Sequence, residues 1–438
     1  MTRILSDQVK DQIGKTTHIE GWLHKKRLMG GLAFINVRDR RGLTQVVVQD
    51  KDEVEKLRGL QIGTVLKVTG KAVEEPRAPG GAELHDPELT VLVPVTDEPP
   101  IEIDKPISHK PEHLDTLFEQ RVIGLRNLQE QKIFKIRARA LQAFRNYLTE
   151  NDFVEIQTPK LLGAAPEGGT EVFKLDYFGQ EATLAQSPQL YKQIMVGVYE
   201  RVFEIGSVFR AEPSATTRHM SESMMLDIEM GFVNDYDEVL DFVGGTTMHV
   251  LKELYRVCAD DLKSLNAPEL KLPEDGKVPR MTVDEIHELY TKATKTDTTK
   301  EKDLTPDEEK WICEYSRKKL GSDLIYVRDF PLSTHKFYQK KNDDGKTVLS
   351  ADLLFRGVEI STVPLRESNY ETLVQQMKDQ GIDPADPGFK YYLQAFKYGL
   401  PQHGGCGFGI DRFVQKTIGL NNVKEATLFP RDINRLTP

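Results

Sequence analysis

The chain has 438 residues, of which 39% are hydrophobic and 29% charged, and a formal net charge of −9. That length exceeds a single hydrophobic core and predicts two or more domains. The composition is that of a soluble globular protein, and no apolar run approaches the roughly 20 residues that span a bilayer. The acidic balance argues against indiscriminate coating of nucleic acid but leaves room for a local basic footprint.

The N-terminal "MTRILSDQVKDQIGKTTHIEGW" has no apolar signal region. Cys258, Cys313 and Cys406 are far apart and form no Cys-x-x-Cys pair, which favours a reducing cytoplasm and offers no zinc site. Apolar and polar residues alternate in "THIEGWLHKK", "LAFINVRD" and "LTQVVVQD" (16–50), then in "TVLKVTGKAV" (64–73) and "ELTVLVPV" (88–95). Short strands separated by turn signals predict a small closed barrel of the oligonucleotide-binding (OB) type. Residues 25–41 set Lys25, Lys26, Arg27, Arg38, Arg40 and Arg41 against Asp39 alone, a patch suited to phosphates. Phe34 lies within it and is a candidate to stack on an unpaired base.

"TDEPPIEIDKPISHKPEH" (96–113) is proline-rich and aperiodic, and reads as an extended linker. A helix-like run follows, with Phe134, Ile136, Ala138, Leu141, Phe144 and Leu148 at helical spacing, and "FVEIQTPKL" (153–161) reads as a strand running into Pro159. "RVFEIGSVF" (201–209) and "MMLDIEMGFV" (224–233) read as antiparallel strands around a loop bearing Arg210, Glu212, Arg218 and His219. Two arginines at such a loop suit a polyanion, because guanidinium binds phosphate oxygens in pairs. Residues 259–310 are rich in Lys, Asp, Glu and Thr and read as a variable helical insertion without assignable chemistry. "GGCGFGIDRFVQKTIG" (404–419) leads glycines into an amphipathic helix with Arg412 near its start.

A strand ending in proline, an FRxE strand with a second arginine on its loop, and a Gly-rich strand entering an Arg-bearing helix resemble the three motifs of class II aminoacyl-tRNA synthetases. "EGGTE" (167–171), "QSPQLYKQ" (186–193), "RGVEIS" (356–361) and "LFPRDINRLTP" (428–438) narrow the resemblance to aspartyl-tRNA synthetases of the archaeal/eukaryotic type. It covers nearly the whole chain outside 259–350. The resemblance implies an α+β fold: an OB-fold anticodon-binding barrel over 1–103, a hinge over 104–130, and a catalytic domain over 131–438. That domain would be built on an antiparallel sheet flanked by helices, with a variable insertion at about 259–345.

The same resemblance implies a ligase of the cytoplasm that activates L-aspartate with ATP and Mg2+ and charges tRNA. Arg210 would bind the α-phosphate and the attacking carboxylate together. Ala211, Glu212, Arg218, His219, Met220, Glu359, Gly409, Ile410, Asp411 and Arg412 would form the rest of the ATP site, with Glu359 and Thr362 holding the metal. Lys192 and Arg366 would take the aspartate side chain, and Glu167 and Gln189 its ammonium. The chain reads "EISTVPLRESNYE" where the family has a glycine-rich "SSGGQR", which puts Arg366 and the loop shape in doubt. Phe34 and Gln45 match positions that read the anticodon. Strict members carry Trp and Lys where this chain has His24 and Pro79, so tRNA(Asn) is an expected substrate beside tRNA(Asp). A homodimer is implied by the helix before Pro159, whose apolar face looks long for one domain. A strictly tRNA(Asp)-specific enzyme, an asparaginyl-tRNA synthetase and a non-catalytic RNA-binding paralogue remain as alternatives.

Overall fold

The alternation in the first hundred residues closes into a barrel. In the computed structural model, which describes residues 2–163, 172–213 and 216–438, its strands are β1 (Thr16–Met29), β2 (Leu32–Arg38), β3 (Leu43–Val48), β4 (Val65–Glu74) and β5 (Ala82–Val93). Their order is β1-β2-β3-β5-β4, and β5 seals the barrel by running parallel to β3 and antiparallel to β4. Ile19, Leu23, Ile35, Val37, Val46, Val48, Leu66 and Val68 point inward and are buried. β5 begins at Ala82 rather than Glu88. Pro87 looks like a break in the sequence, but it sits beside a register shift in the β4–β5 pairing, where proline is tolerated. The helix Lys51–Gly59 had no readable periodicity. Asp50 starts it by accepting from the Asp52 and Glu53 amides, and Val54 and Leu57 fix it to the barrel core.

The chain divides into two units, Met1–Gln131 and Lys132–Pro438. Residues 94–110 contain no helix or strand, as their prolines predict, and the Asn127 amide donates to the Ile103 and Lys105 carbonyls at 3.1 and 2.6 Å.

The second unit is organised by an eight-stranded sheet. Its strands are β6 (Val154–Glu155), β10 (Arg201–Phe209), β11 (Glu222–Gly231), β12 (Arg280–Thr282), β13 (Leu324–Arg328), β14 (Ser350–Phe355), β15 (Val358–Pro364) and β16 (His403–Gly409). The order is β12-β13-β14-β15-β16-β11-β10-β6. Three short strands, β7 (Leu161–Leu162), β8 (Lys174–Tyr177) and β9 (Gln180–Leu184), form a separate small sheet. The large sheet is antiparallel in its middle, but β6 pairs parallel with β10 and β12 with β13, so it is mixed rather than purely antiparallel.

The helices Leu128–Glu150, Tyr236–Val257 and Ile410–Ile418 supply the apolar side chains that bury one face. Phe144 packs edge-on against Phe408 and Phe413 at ring separations of 5.1 and 5.4 Å. Alternation along β11 then places the chemistry. Leu226, Ile228 and Met230 enter this core, so Asp227 and Glu229 face the other side.

The segment 259–310, expected to be helical, holds the short strand β12 beside its helices, and the apolar run "LIYVR" beyond it forms β13, which pairs with β14 in the main sheet. The apolar face of Leu128–Glu150 is also used up within its own unit, since Ile133, Ile136, Ala140, Phe144 and Leu148 are all buried there. Among the described residues, no helix is long and apolar enough to cross a membrane.

Candidate active site

On the open face of the large sheet lie two adjoining cavities, of about 300 and 230 Å³. Arg210, Met225, Glu359 and Gly407 line both. Arg210 stands where β10 ends, its amide donating to the Ser221 carbonyl at 2.9 Å, and its side chain is 46% exposed. A cation is thereby presented to both spaces at once.

The larger cavity is lined by Gln189, Asp227, Asp352, Thr362 and Arg366, among others. Arg366, 1% exposed, grips Glu229 through Nε and Nη2 at 2.7 and 3.0 Å. Among the described residues no acceptor meets its Nη1. Lys192 is buried behind this layer. Its ammonium meets Asp227 Oδ1 at 2.9 Å, the Cys406 carbonyl at 2.8 Å and Glu229 Oε2 at 3.3 Å, which occupies all three donors. Burial opposes ionisation of Glu229, but Arg366 and Lys192 outweigh it and hold the carboxyl below its usual range.

β16 can approach β11 this closely because residue 405 is glycine. A Cβ there would stand 2.0 Å from the Ile228 carbonyl oxygen and 2.7 Å from Glu229 Oε2. Burial pushes the neighbouring Cys406 thiol up to about 11, so it is inert here.

The smaller cavity is ringed by Glu212, Arg218, His219, Met220, Gly409, Asp411 and Arg412. His219 Nε2 lies 3.7 Å from Glu212, and its Nδ1 is 2.7 Å from the Thr216 hydroxyl. Burial lowers the His219 pKa against the pull of Glu212, aided by Arg412, Arg210 and Arg218. Arg218 donates to Glu309 Oε2 at 2.6 Å and to the Gly357 carbonyl at 3.1 Å. Arg412 donates to the Glu359 carbonyl at 3.0 Å and reaches Glu359 Oε2 at 3.3 Å.

In the larger cavity, Asp352 and Thr362 face each other across β14 and β15. The Thr362 hydroxyl lies 3.0 Å from Glu359 Oε1. Burial, reinforced by Glu359, raises the Asp352 carboxyl well above its ordinary value. Two carboxylates with one hydroxyl proton between them form a site that a hard cation would relieve.

Residues 113–433 match the family model for tRNA synthetases class II (D, K and N). The chain belongs to the class II tRNA synthetases. Residues 17–92 match the OB-fold nucleic acid binding domain. The aspartate–tRNA(Asp/Asn) ligase of Thermus thermophilus is 39% identical, and the match covers 100% of both chains. The aspartate–tRNA(Asp) ligase of Pyrococcus abyssi is 37% identical, over 100% of this chain and 99% of its own. Among solved structures, asparaginyl-tRNA synthetase from Pyrococcus horikoshii complexed with asparaginyl-adenylate superposes with a TM-score of 0.91 at 27% identity, covering 100% of both chains. A putative aspartyl-tRNA synthetase from Leishmania major superposes with a TM-score of 0.90 at 28% identity, over 100% of this chain and 95% of that one.

In this class II tRNA synthetase most of the residues marked in the sequence converge on the two cavities, with instructive exceptions. Ile410 is fully buried in the core, and Ala211 lines neither cavity. Asp411 borders the smaller cavity, but its carboxylate is spent inside the protein, accepting from Arg137 and from the Met224 amide at 2.7 and 2.8 Å. Lys192 is close but does not line the cavity, so its charge acts from behind Arg366 and Asp227. Glu167 and the loop 166–171 lie outside the described residues.

The sequence reading missed Asp352, Asp303 and Glu309, which come from β14 and from the supposed insertion. Asp227 and Glu229 carry a readable signal in the sequence, since acids at a period of two inside an apolar strand mark a buried polar site.

On the barrel, the register β1–β2–β3 brings Lys25, Arg27, Phe34, Asn36 and Gln45 to one outer face. Gln45 donates to Glu83 at 2.7 Å. The basic patch is smaller than it looked. Lys26 donates to the Leu57, Arg58 and Leu60 carbonyls and caps a helix, and Arg38 is buried over Trp22 at 4.8 Å. His24 is buried at the β1 bulge, where burial and then Arg38 lower its pKa. Pro79 opens the turn Pro79–Gly81, in which Gly80 and Gly81 take positive φ of 74° and 77° and the Gly81 amide donates to Ala78.

Proposed function

We propose that this protein is an aspartate–tRNA ligase of the cytoplasm. It joins L-aspartate to ATP as aspartyl-adenylate, releases pyrophosphate, and passes the aspartyl group to the 3′ end of tRNA(Asp) and tRNA(Asn). The observation that carries this reading is that Arg210 lines both cavities. A carboxylate held on one side and an α-phosphate on the other are both anionic, and one guanidinium between them offsets their repulsion as the new bond forms. The chemistry is then mostly positioning, with no side chain required as nucleophile.

Arg412 and Arg218 hold the outer phosphates. Arg218 is already anchored by Glu309 and Gly357, so its remaining donors point to the ligand. Glu359, Asp352 and Thr362 would hold Mg2+, which would supply charge neutralisation for the phosphates. Magnesium takes one or two carboxylates plus phosphate and water oxygens, so no larger acidic cluster is needed. On the amino-acid side, Arg366 offers its Nη1 to the substrate carboxylate with the Lys192 charge behind it. Gln189, Asp227 and Glu167 take the ammonium. An amide side chain would gain less from two buried cations than a carboxylate does. Pyrophosphate exchange with aspartate and with asparagine, each alone, tests the choice: exchange driven by asparagine overturns it.

The relatives carry both names, tRNA(Asp/Asn) and tRNA(Asp), at 39% and 37% identity, so overall similarity does not select a tRNA. The reading of both tRNAs rests on Pro79, which has no N–H or charge to offer the third anticodon base. Both transcripts are expected to be charged with kcat/KM within about a hundredfold of each other, or about 2.7 kcal/mol. Pro79→Lys is expected to widen the gap against tRNA(Asn). His24→Trp is a poorer test, because a larger ring at a buried place overpacks the barrel.

We also read the active form as a two-fold dimer, on surface other than the helix that first suggested it. β6 is an open sheet edge, with Val154 39% and Leu161 50% exposed nearby. Light scattering at micromolar concentration is expected to give twice the chain mass; a fully active monomer would contradict this.

A further inference from the structure

Behind Gln189, on the side away from the cavity, a row of hydrogen bonds leads through two side chains to a backbone carbonyl. We propose that Gln193, His403 and Tyr392 are positioning residues that fix the Gln189 amide with its oxygen toward the amino-acid cavity, ready to accept from the substrate ammonium. The proposal deepens the aminoacylation reading above and rests on it.

One group in the row has a single role. The Pro401 carbonyl only accepts, so His403 Nδ1, 2.8 Å away, must carry the proton. His403 is completely buried, and burial drives its imidazole down to about 4, against the pull of Glu229. The ring is therefore neutral at pH 7, and Nε2 is bare. Gln193, also completely buried, meets that nitrogen at 2.9 Å and must present its NH2 group. Its oxygen then faces the opposite way, where the Tyr392 hydroxyl lies at 3.2 Å and the Gln189 Nε2 at 3.0 Å, both donating. The Gln189 NH2 is thus committed inward. Gln189 lines the larger cavity, and among the described residues no donor meets its Oε1.

Every link has one allowed polarity. Turning Gln193 over would set its oxygen against the His403 lone pair and its NH2 against the Gln189 donor. Turning Gln189 alone would oppose two carbonyl oxygens. Each error leaves buried polar groups unpaired. A free glutamine could turn either end of its amide to the empty cavity and would have to reorient for a cationic ammonium, and this row removes that choice.

The test uses the full-length protein in pyrophosphate exchange. Gln193→Leu is expected to raise KM for aspartate about tenfold or more, the effect of losing a hydrogen bond to a charged group, while KM for ATP stays put and kcat changes less. Gln193→Glu, taking up one proton that it shares with His403 Nε2, keeps an acceptor for Tyr392 and Gln189 and is expected to recover most of that affinity. An unchanged aspartate KM in Gln193→Leu, or a Gln193→Glu variant no better than Gln193→Leu, overturns the proposal.

Should Gln193→Leu fail to fold, the 15N spectrum of selectively labelled wild-type protein still decides. A protonated Nδ1 and bare Nε2 at His403 support the proposal, and the opposite tautomer overturns it. If the wild type exchanges with asparagine in place of aspartate, the substrate assignment falls while the same variants are read with asparagine, whose ammonium is identical.

Discussion

Arg210→Ala is expected to abolish aspartate-dependent pyrophosphate exchange while leaving the fold intact. The side chain is nearly half exposed and its nearest charged partner, Glu212, is 3.9 Å away, so removing it breaks no buried pair. What it does remove is the only arginine lining both cavities among the described residues. Preorganised charge aimed at a developing transition state contributes about 10²–10³ in rate per donor, and a guanidinium serving two reacting groups stands at or above that range. The loss is expected in kcat more than in KM for either substrate, since ground-state binding keeps Arg366, Arg218 and Arg412. Circular dichroism and exchange kinetics on the same sample check it. Exchange within about tenfold of wild type, or about 1.4 kcal/mol, would take Arg210 out of the reaction centre.

Lys192→Met is expected to cost both activity and stability, for a different reason. Lys192 and Arg366 together balance Asp227 and Glu229 in a completely buried cluster. Removing one cation leaves a buried carboxylate unpaired, a cost of about 3–5 kcal/mol. Asp227 would then draw a proton or a water into the floor of the amino-acid cavity. The kcat/KM for aspartate is expected to fall by more than about a hundredfold, or about 2.7 kcal/mol, with a lowered denaturation midpoint. Normal exchange from a destabilised Lys192→Met protein would make Lys192 a structural counter-ion only and leave Arg366 to select the carboxylate alone.

The departure at Val363-Pro364, which put Arg366 in doubt, turns out to leave the arginine in place. The Tyr236 hydroxyl donates to the Val363 carbonyl at 2.7 Å, Pro364 pairs with Ser350 across β14 and β15, and the Arg366 amide donates to His403 at 2.9 Å. These are backbone anchors, which depend little on the side chains at 363 and 364.

What the sequence determined by itself is what short-range patterns encode. Alternation in residues 16–48 gave the barrel strands, and "RVFEIGSVF" with "MMLDIEM" gave β10 and β11 with Arg210 at the loop between them. The arginines proposed above to hold phosphates were legible because their residue type and strand-end position suit a polyanion.

The tertiary structure alone decided which charges are spent inside the protein. Lys26 and Arg38 look identical to Lys25 and Arg27 in the sequence, yet a helix end and a tryptophan ring consume the first two. Lys192 and Asp411 point into buried networks because their partners, Asp227 and Arg137, are distant in the chain. Asp303 reaches the larger cavity and Glu309 reaches Arg218 only because β13 docks on β14 and carries the preceding segment with it. A charged side chain is defined by what desolvates it and what pairs with it, and those neighbours are set by long-range strand order rather than by local spacing.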